Sequence, residues 1–212
     1  MDVYEGLKQA VIDYDPQGAT RYAQQVVDEG LDPVAAMEVI SESMQVVGDG
    51  YACEELWLPD LVGAADASQA AMPVLEEEIR KRGQKTQSLG TVVIGTVSGD
   101  IHTIGKSMVG VLLVAAGFRV VDVGADVTTE RFVEAVKENE ADILALSALL
   151  TTTAPEQGNV IEALKKAGLK DKVKIMVGGG AITQGFADSI GADGYGATAP
   201  GAAGLAKSLV DK

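Results

Sequence analysis

The first 88 residues place apolar side chains at helical spacing. Val34, Met37, Ile40, Met44 and Val47 recur every three or four positions, which predicts helices with one buried face. Prolines that follow a polar capping residue mark helix starts, because the first turn of a helix does not need the missing N–H. The pattern predicts about four helices and no sheet in this half. The helices are predicted to begin near Asp2, Asp15, Asp32 and Pro59, with the last one running to about Arg82.

The hydrophobic period changes in the second half of the chain. Short apolar runs of strand length alternate there with amphipathic stretches of helical length, which is typical of a parallel sheet covered by helices on both faces. The predicted strands are 91–97, 119–123, 143–147 and 174–177, with a weaker fifth strand at 193–195. A helix is predicted from Ile104 or Gly105. Ligands of doubly wound folds bind at the carboxyl ends of the strands, so the loops after these runs are candidate sites.

Charge separates the same two halves. Residues 1–88 carry 17 acidic and 6 basic side chains, whereas residues 89–212 carry 14 acidic and 11 basic ones. A polar stretch without apolar periodicity places the boundary between residues 84 and 90. We therefore predict an α/β protein with a four-helix domain over 1–88. A doubly wound, Rossmann-like domain of the flavodoxin-like type, with five parallel strands, is predicted over 89–212.

Composition narrows the classes of function. A single cysteine, Cys53, excludes an internal disulfide and a thiolate-rich metal cluster. The net charge of −14 would repel phosphate backbones and anionic lipid headgroups, so we expect neither nucleic-acid nor membrane binding. No apolar run approaches the roughly 20 residues needed to span a bilayer, and the acidic amino terminus is unlike a secretory signal. We expect a cytoplasmic protein.

The loop after the first predicted strand carries the only histidine of the chain, His102. Its sequence is close to a phosphate-binding P-loop, but five residues separate Gly99 and Gly105 where the P-loop has four, and Asp100 would repel phosphates. Alternatively, Asp100, His102 and Gly105 form one unit. A neutral imidazole binds transition metals, a nearby carboxylate can fix its tautomer, and glycine allows a bulky ligand to approach. A third interpretation is that Asp100 only caps the following helix.

Three segments in the same order resemble the cobalamin-binding domain of the methionine-synthase type. Asp-x-His-x-x-Gly stands at 100–105, Ser-x-Leu-x-Thr-x-Thr at 147–153, and Gly-Gly at 178–179. The resemblance implies a cobalamin or a related corrinoid cofactor, with His102 as the lower axial ligand of cobalt. The residues that it places at the cofactor in this domain are Asp100, His102, Thr103, Ile104, Gly105, Ser147, Leu149, Thr151, Thr153, Gly178 and Gly179.

The same resemblance assigns roles to several of these residues. Ser147 and Thr151 would contact the displaced dimethylbenzimidazole tail, and the glycine pair would leave room for it. Asp100 and Thr153 would form a proton relay with His102, and Thr153 stands where the family commonly has serine.

Residues 44–59 are similar to the cap motif of that family, in which an aromatic residue and a leucine seven positions later cover the cofactor. These positions hold Tyr51 and Leu58, with tyrosine in place of the more common phenylalanine. Cys53, two residues after Tyr51, is expected to pack inside the protein. The resemblance covers nearly the whole chain and leaves no room for a catalytic barrel. It therefore implies a free-standing corrinoid protein of an anaerobic methyltransferase system, in which the chain carries the methyl group without catalysing its transfer.

The implied partners are a substrate-specific methyltransferase, a second methyltransferase acting on tetrahydrofolate or coenzyme M, and a reductive activase. The methyl donor would be a methylamine, a quaternary amine, methanol or a methoxylated aromatic compound. Three alternatives are the small subunit of an adenosylcobalamin-dependent mutase, a cobalamin-based sensor and a nucleotide-binding domain. A mutase subunit has no need of the helical cap, and the acidic first half offers no basic recognition helix for a DNA-binding sensor.

Overall fold

The computed structural model describes residues 2–83 and 88–210 and divides them into two compact units. The first unit contains the described residues up to Ser88, together with Val114–Gly117. The second contains Leu89–Leu113 and the described residues from Phe118 onward. Residues 84–87, which belong to the predicted boundary at 84–90, lie outside the described residues.

Four helices form the first unit, as predicted. Local capping explains two of their starts, because the Asp15 carboxylate accepts a hydrogen bond from the Gly18 N–H at 2.9 Å and the Asp32 carboxylate accepts one from the Val34 N–H at 3.0 Å. A proline follows each of these aspartates at the first helical position. The helices are α1 (Val3–Ile12), α2 (Pro16–Asp28), α3 (Pro33–Ala52) and α4 (Leu58–Arg82).

Small residues on α4 allow the helices of this unit to approach closely. α4 packs against α1, α2 and α3. Its buried face combines a few large side chains such as Leu61 and Leu75 with Ala64, Ala67 and Ala71. Gly63 lies directly against Tyr14, where a Cβ atom would come within 2.8 Å of the tyrosine Cβ. The apolar spacing seen in the sequence therefore corresponds to one shared helical core.

The second unit is a five-stranded parallel sheet with helices between the strands. The strand order is β2-β1-β3-β4-β5, which is the flavodoxin-like order and confirms the predicted fold class. Its elements are β1 (Thr91–Thr96), α5 (Ile104–Ala115), β2 (Arg119–Asp122), α6 (Thr129–Glu138), β3 (Ile143–Ser147), α7 (Ala154–Lys166), β4 (Lys174–Gly178), α8 (Gln184–Ile190), β5 (Gly194–Gly196) and α9 (Ala199–Val210).

Sheet register brings the carboxyl ends of four strands into one row. Thr96 of β1 pairs with Ser147 of β3, Ser147 with Gly178 of β4, and Gly178 with Gly196 of β5. The chain leaves β1 toward β2 and leaves β3 toward β4, so the direction of winding reverses between these two central strands. This reversal is the topological switch point at which doubly wound folds bind their ligands.

A buried glutamine on α7 holds the row of strand ends together. The Nε2 atom of Gln157 donates hydrogen bonds to the carbonyl oxygens of Leu146 at 3.0 Å and Gly178 at 3.1 Å. Gln157 is completely buried, so its side chain, and not water, donates to these carbonyl oxygens at this point. The side chain thus links β3 and β4 at the point where both strands end.

We predict that Gln157→Met lowers the free energy of unfolding by about 1 kcal/mol, because the Leu146 and Gly178 carbonyl oxygens lose a side-chain donor. The cost is limited because Gly178 keeps the Ala148 N–H as a donor and the buried Gln157 Oε1, which has no hydrogen-bond partner among the described residues, is removed. Urea unfolding followed by circular dichroism measures this change. The same substitution at the exposed Gln184 is the matched control and should stay within about 0.5 kcal/mol of the wild type. Equal stability of the two variants would contradict the role of Gln157.

Candidate functional site

The carboxylate of Asp100 joins the loops that follow β1 and β3. Its Oδ1 atom accepts hydrogen bonds from the His102 backbone N–H at 3.0 Å and from the His102 ring at Nδ1, 2.7 Å away. Its Oδ2 atom accepts hydrogen bonds from the Leu149 N–H and from the Thr153 hydroxyl, both at 2.7 Å. Asp100 is completely buried, so these donors replace the water that an exposed carboxylate would bind.

Hydrogen bonding keeps Asp100 ionised. Burial by itself raises the pKa of this carboxyl group, but the backbone N–H of His102, the Thr153 hydroxyl, the His102 ring and the Leu149 N–H together hold the pKa well below its usual range. The carboxylate is therefore a permanent negative charge at neutral pH.

The ionised carboxylate fixes the tautomer of His102. A carboxylate can only accept hydrogen bonds, so the proton of the neutral imidazole must be on Nδ1. The lone pair is then on Nε2, and the His102 side chain is 48% exposed. A hydrogen bond from the Thr96 hydroxyl to the His102 carbonyl oxygen, at 3.0 Å, also holds the loop at the end of β1. The geometry thus presents Nε2 as a free donor atom for a metal.

The interpretation of Asp100 as a helix cap is wrong. Helix α5 begins at Ile104, and the Asp100 carboxylate accepts its hydrogen bonds from the loops instead of the first turn of that helix. Thr153 likewise uses its side chain for a contact within the site and not for capping a helix. It precedes α7 without capping it, and its hydroxyl approaches Asp100 at 2.7 Å and the Leu150 carbonyl at 3.1 Å. The charged acceptor at the shorter distance is the better partner for its single proton.

A cavity of about 400 Å³ lies beside His102 within the second unit. Its walls are largely apolar and include Ile94, Ala145 and Met176 from the central strands, with polar groups from Ser147, Tyr195 and Thr198. Such a cavity suits a ligand with an apolar ring and a few polar atoms. Six of the predicted residues line it, namely His102, Gly105, Ser147, Leu149, Gly178 and Gly179.

Close backbone contacts explain why two glycines, Gly178 and Gly179, stand at the end of β4. Gly179 has a φ of +123°, and a Cβ atom there would lie 1.9 Å from the carbonyl oxygen of Ala148. A Cβ atom at Gly178 would lie 3.1 Å from the carbonyl oxygen of Gly196. The backbone therefore closes tightly at this turn, and no side chain occupies the adjacent cavity from these two positions.

Other predicted residues lie outside the cavity wall. Thr103, Ile104 and Thr151 are exposed on the surface of the second unit, with Ile104 exposed to 81%. Tyr51 and Leu58 are half-buried in the first unit, where they end α3 and begin α4. Contact of these five residues with a cofactor stays a prediction. The expectation that Cys53 packs inside the protein is wrong, because this residue is exposed after the end of α3.

Sequence reasoning missed several residues of the site. Lys106, Tyr195 and Thr198 also line the cavity, but no spacing rule ties them to His102. Ile101 and Leu150 are exposed on the loops that carry His102 and the partners of Asp100, with Ile101 exposed to 76%. Exposed apolar side chains on a functional loop indicate a ligand surface. The sequence signal that could have found them is an apolar residue in a loop directly after a predicted strand.

The fold and the site define an α/β protein that presents one histidine nitrogen at the switch point of a flavodoxin-like sheet. Two family models match the chain, and both describe a B12 binding domain, one over residues 90–203 and the other over residues 3–76. The chain therefore belongs to the B12-binding family, and its cofactor is a cobalamin or a related corrinoid. This assignment replaces the nucleotide-binding alternative.

Similar proteins are corrinoid proteins of comparable length. The chain is 46% identical over 204 residues to trimethylamine corrinoid protein 2 of Methanosarcina acetivorans, covering 96% of this chain and 94% of that protein. It is 45% identical over 183 residues to dimethylamine corrinoid protein 2 of the same organism, covering 86% and 84%. Among solved structures, a chain of the methanol:cobalamin methyltransferase complex MtaBC from Methanosarcina barkeri matches with a TM-score of 0.81 and 29% identity, covering 99% of this chain and 80% of that one.

None of the helices within residues 2–83 and 88–210 combines the length and the apolar character needed to cross a membrane.

The depressed pKa of Asp100 predicts a pH-dependent contribution to stability. Because its pKa is lower in the folded than in the unfolded chain, the carboxylate stabilises the fold above the unfolded value of about 3.9. We expect Asp100→Asn to lower the free energy of unfolding by about 1–3 kcal/mol at pH 7, since the amide cannot accept all these hydrogen bonds. This difference from the wild type should shrink as the pH falls below about 4.

Urea unfolding of both proteins at a series of pH values from 7 to 3 measures this difference. The exposed Asp171→Asn in the same unit is the control and should differ from the wild type by less than about 0.5 kcal/mol at pH 7. A difference between wild type and Asp100→Asn that stays constant over the pH series would show that the ionised carboxylate is not the cause.

Proposed function

We propose that this chain is a methyl carrier, which holds a corrinoid through His102 and exchanges methyl groups with methyltransferases. The observation that carries the proposal is the pairing of His102 Nδ1 with the buried Asp100, which leaves Nε2 available beside a cavity. The names of the similar proteins support it, since they are corrinoid proteins of methylamine systems and a chain of a methyltransferase complex.

The residues present fit a corrinoid better than a bare metal ion. Among the residues that the structure describes, no group of three or more His, Cys, Asp or Glu side chains is placed to hold a metal. A metal at His102 must therefore bring its other ligands with it, as cobalt does in the four-nitrogen corrin ring. The exposed Ile101 and Leu150 offer apolar surface to a large flat ligand, and the cavity offers space for an attached aromatic base.

When bound, the cofactor supplies a cobalt centre that accepts a methyl group from one enzyme and gives it to another. The protein's part is to control the imidazole of His102. Asp100 orients the ring by accepting a hydrogen bond from the Nδ1–H, which leaves the lone pair of Nε2 available to cobalt.

Thr153 completes this arrangement. Its hydroxyl donates to the Asp100 oxygen that faces away from the imidazole, so the carboxylate keeps a donor on each side. Asp100 stays ionised, and the proton is held on the imidazole. We propose that these three side chains act as the relay that the resemblance implies, a role that their hydrogen bonds support.

The cavity is proposed to hold the displaced tail of the cofactor. Ser147, at the end of β3, provides a hydroxyl, and Gly178 and Gly179 leave the space beside it free of side chains. The roles of Thr103, Ile104 and Thr151 at the cofactor, and of Tyr51 and Leu58 as a cap, rest on the family resemblance alone.

The partner that supplies the methyl group is proposed to be a methylamine methyltransferase. Support comes from the names of similar proteins, since the chain is 46% identical to a trimethylamine corrinoid protein and 45% identical to a dimethylamine corrinoid protein. Delivery to tetrahydrofolate or coenzyme M by a second methyltransferase, and repair by a reductive activase, complete the proposed cycle. The chain itself acts as a non-catalytic carrier subunit.

The first experiment tests cobalt ligation. We expect the wild-type protein to take up methylcobalamin under anaerobic conditions, and His102→Ala to give a different visible spectrum because the lower nitrogen ligand is lost. Cys53→Ser is the control for the other soft ligand of the chain, and its spectrum should match that of the wild type. Failure of the wild type to bind would overturn the function, and identical spectra of wild type and His102→Ala would overturn the ligand assignment.

A second experiment tests the methyl donor. The reconstituted and reduced protein is mixed with a trimethylamine, dimethylamine or methanol methyltransferase and the matching substrate. We expect methyl loss from a methylamine to be faster than from methanol, because the chain shares 46% and 45% identity with a trimethylamine and a dimethylamine corrinoid protein. Reactions without this chain are the control. Faster demethylation of methanol would refute the proposed donor class.

A further inference from the structure

The end of β2 and the loop between β2 and α6 contact both ends of the segment that carries His102. At one end, the Oδ1 atom of Asp126 accepts a hydrogen bond from the Gly99 N–H at 2.7 Å. The Asp126 N–H in turn donates to the Asp100 carbonyl oxygen at 2.9 Å. Asp126 therefore holds the peptide units before Gly99 and after Asp100, one on each side of the Gly99–Asp100 peptide.

At the other end, Asp122 pairs with Lys106 in the first turn of α5. Both oxygens of Asp122 contact the ammonium group, and the Lys106 side chain is only 3% exposed. Asp122 also accepts a hydrogen bond from the Gly124 N–H at 2.8 Å, and the Gly124 carbonyl oxygen accepts one from the Thr96 N–H at 3.0 Å. The loop is thereby fixed to the end of β1 while it holds the start of α5.

The backbone of Asp126 is in an unusual conformation. Its φ is +52°, in the left-handed region that glycine adopts freely and that aspartate tolerates better than most residues. Glycine would suit this backbone, but it would lose the oxygen that receives the Gly99 N–H. A side chain kept in a strained conformation next to a functional loop points to a role for that side chain.

We propose that Asp126 is a positioning residue for His102. By fixing the backbone N–H of Gly99 and the carbonyl oxygen of Asp100, it sets the direction of the Asp100 carboxylate and, through it, the orientation of the imidazole. The connection runs through contacts of 2.7 Å between Asp126 and Gly99 and of 2.7 Å between Asp100 and His102 Nδ1. This inference rests on the proposed role of His102 as the cobalt ligand, and Asp126 itself does not touch the cofactor.

Three substitutions at residue 126 separate the hydrogen bond from the backbone conformation. Asp126→Asn keeps an acceptor oxygen and tolerates positive φ, Asp126→Gly keeps the conformation but removes the acceptor, and Asp126→Ala removes both advantages. If Asp126→Gly does not fold, Asp126→Ser serves in its place, because its side chain is too short to hold the oxygen at the same position.

The readout is the visible spectrum of the anaerobically reconstituted proteins, with His102→Ala as the reference for a cofactor without histidine ligation. We expect Asp126→Gly to lower the ratio of histidine-ligated to unligated cofactor by about tenfold, since it removes a charge-assisted hydrogen bond from the support of the ligand. Asp126→Asn should restore most of the wild-type ratio. Hydrogen exchange of the Gly99 amide in the cofactor-free protein should be faster in Asp126→Gly and show that the hydrogen bond is lost.

Asp171→Gly makes the same substitution at an exposed position of the second unit and should leave the spectrum unchanged. If Asp126→Gly accelerates exchange at Gly99 but keeps the wild-type spectrum, the loop has only a structural role and the inference is refuted. If His102→Ala itself has the wild-type spectrum, the proposal that His102 ligates cobalt is refuted instead. The two failures are thus distinguishable.

Discussion

The buried carboxylate of Asp100 connects the parts of the site that are far apart in the sequence. Burying an isolated charge is costly, and the fold offsets this cost with donors from His102 on one side and from Leu149 and Thr153 on the other. The loops after β1 and β3 are therefore constrained by the same group. If either loop moved away, the carboxylate would lose part of its hydrogen bonding, so the geometry of the histidine depends on the integrity of both.

Register and small residues prepare the sheet for this arrangement. The ends of β1, β3, β4 and β5 form one row. Gln157 links the two middle strands of that row, β3 and β4, through hydrogen bonds to their carbonyl oxygens. Gly178 and Gly179 at the end of β4 place no side chain in the cavity, and Gly196 at the end of β5 lets Ala202 of α9 pack closely. A cavity of about 400 Å³ can exist there because tight backbone contacts, in place of side-chain packing, close the sheet at this edge.

Local chemistry made much of the fold predictable. The pairs Asp15-Pro16 and Asp32-Pro33 begin helices for reasons contained in a few residues, and the apolar runs of the second half became strands with bounds shifted by one residue at most at β1, β2, β4 and β5. Asp100 and His102 were found because their contact spans two positions. Asp126 and Lys106 were missed because their contacts cross 27 and 16 positions, which only sheet topology brings together. The exposure of Cys53 was missed because α3 ends at Ala52, so Cys53 lies just beyond the helix.

Threonine stands at position 153, where the family more commonly has serine, and it restricts the orientation of the hydroxyl that contacts Asp100. A β-branched side chain has few accessible χ1 rotamers, whereas serine rotates more freely. Thr153 is buried and leaves the start of α7 uncapped by its side chain, so its hydroxyl gives up a common alternative partner and points to Asp100. The added methyl group thus reduces the entropy lost when the hydroxyl is held in place. With Asp100 ionised and Thr153 fixed, the Nδ1–H of His102 has a permanent acceptor, and its Nε2 is directed away from that pair.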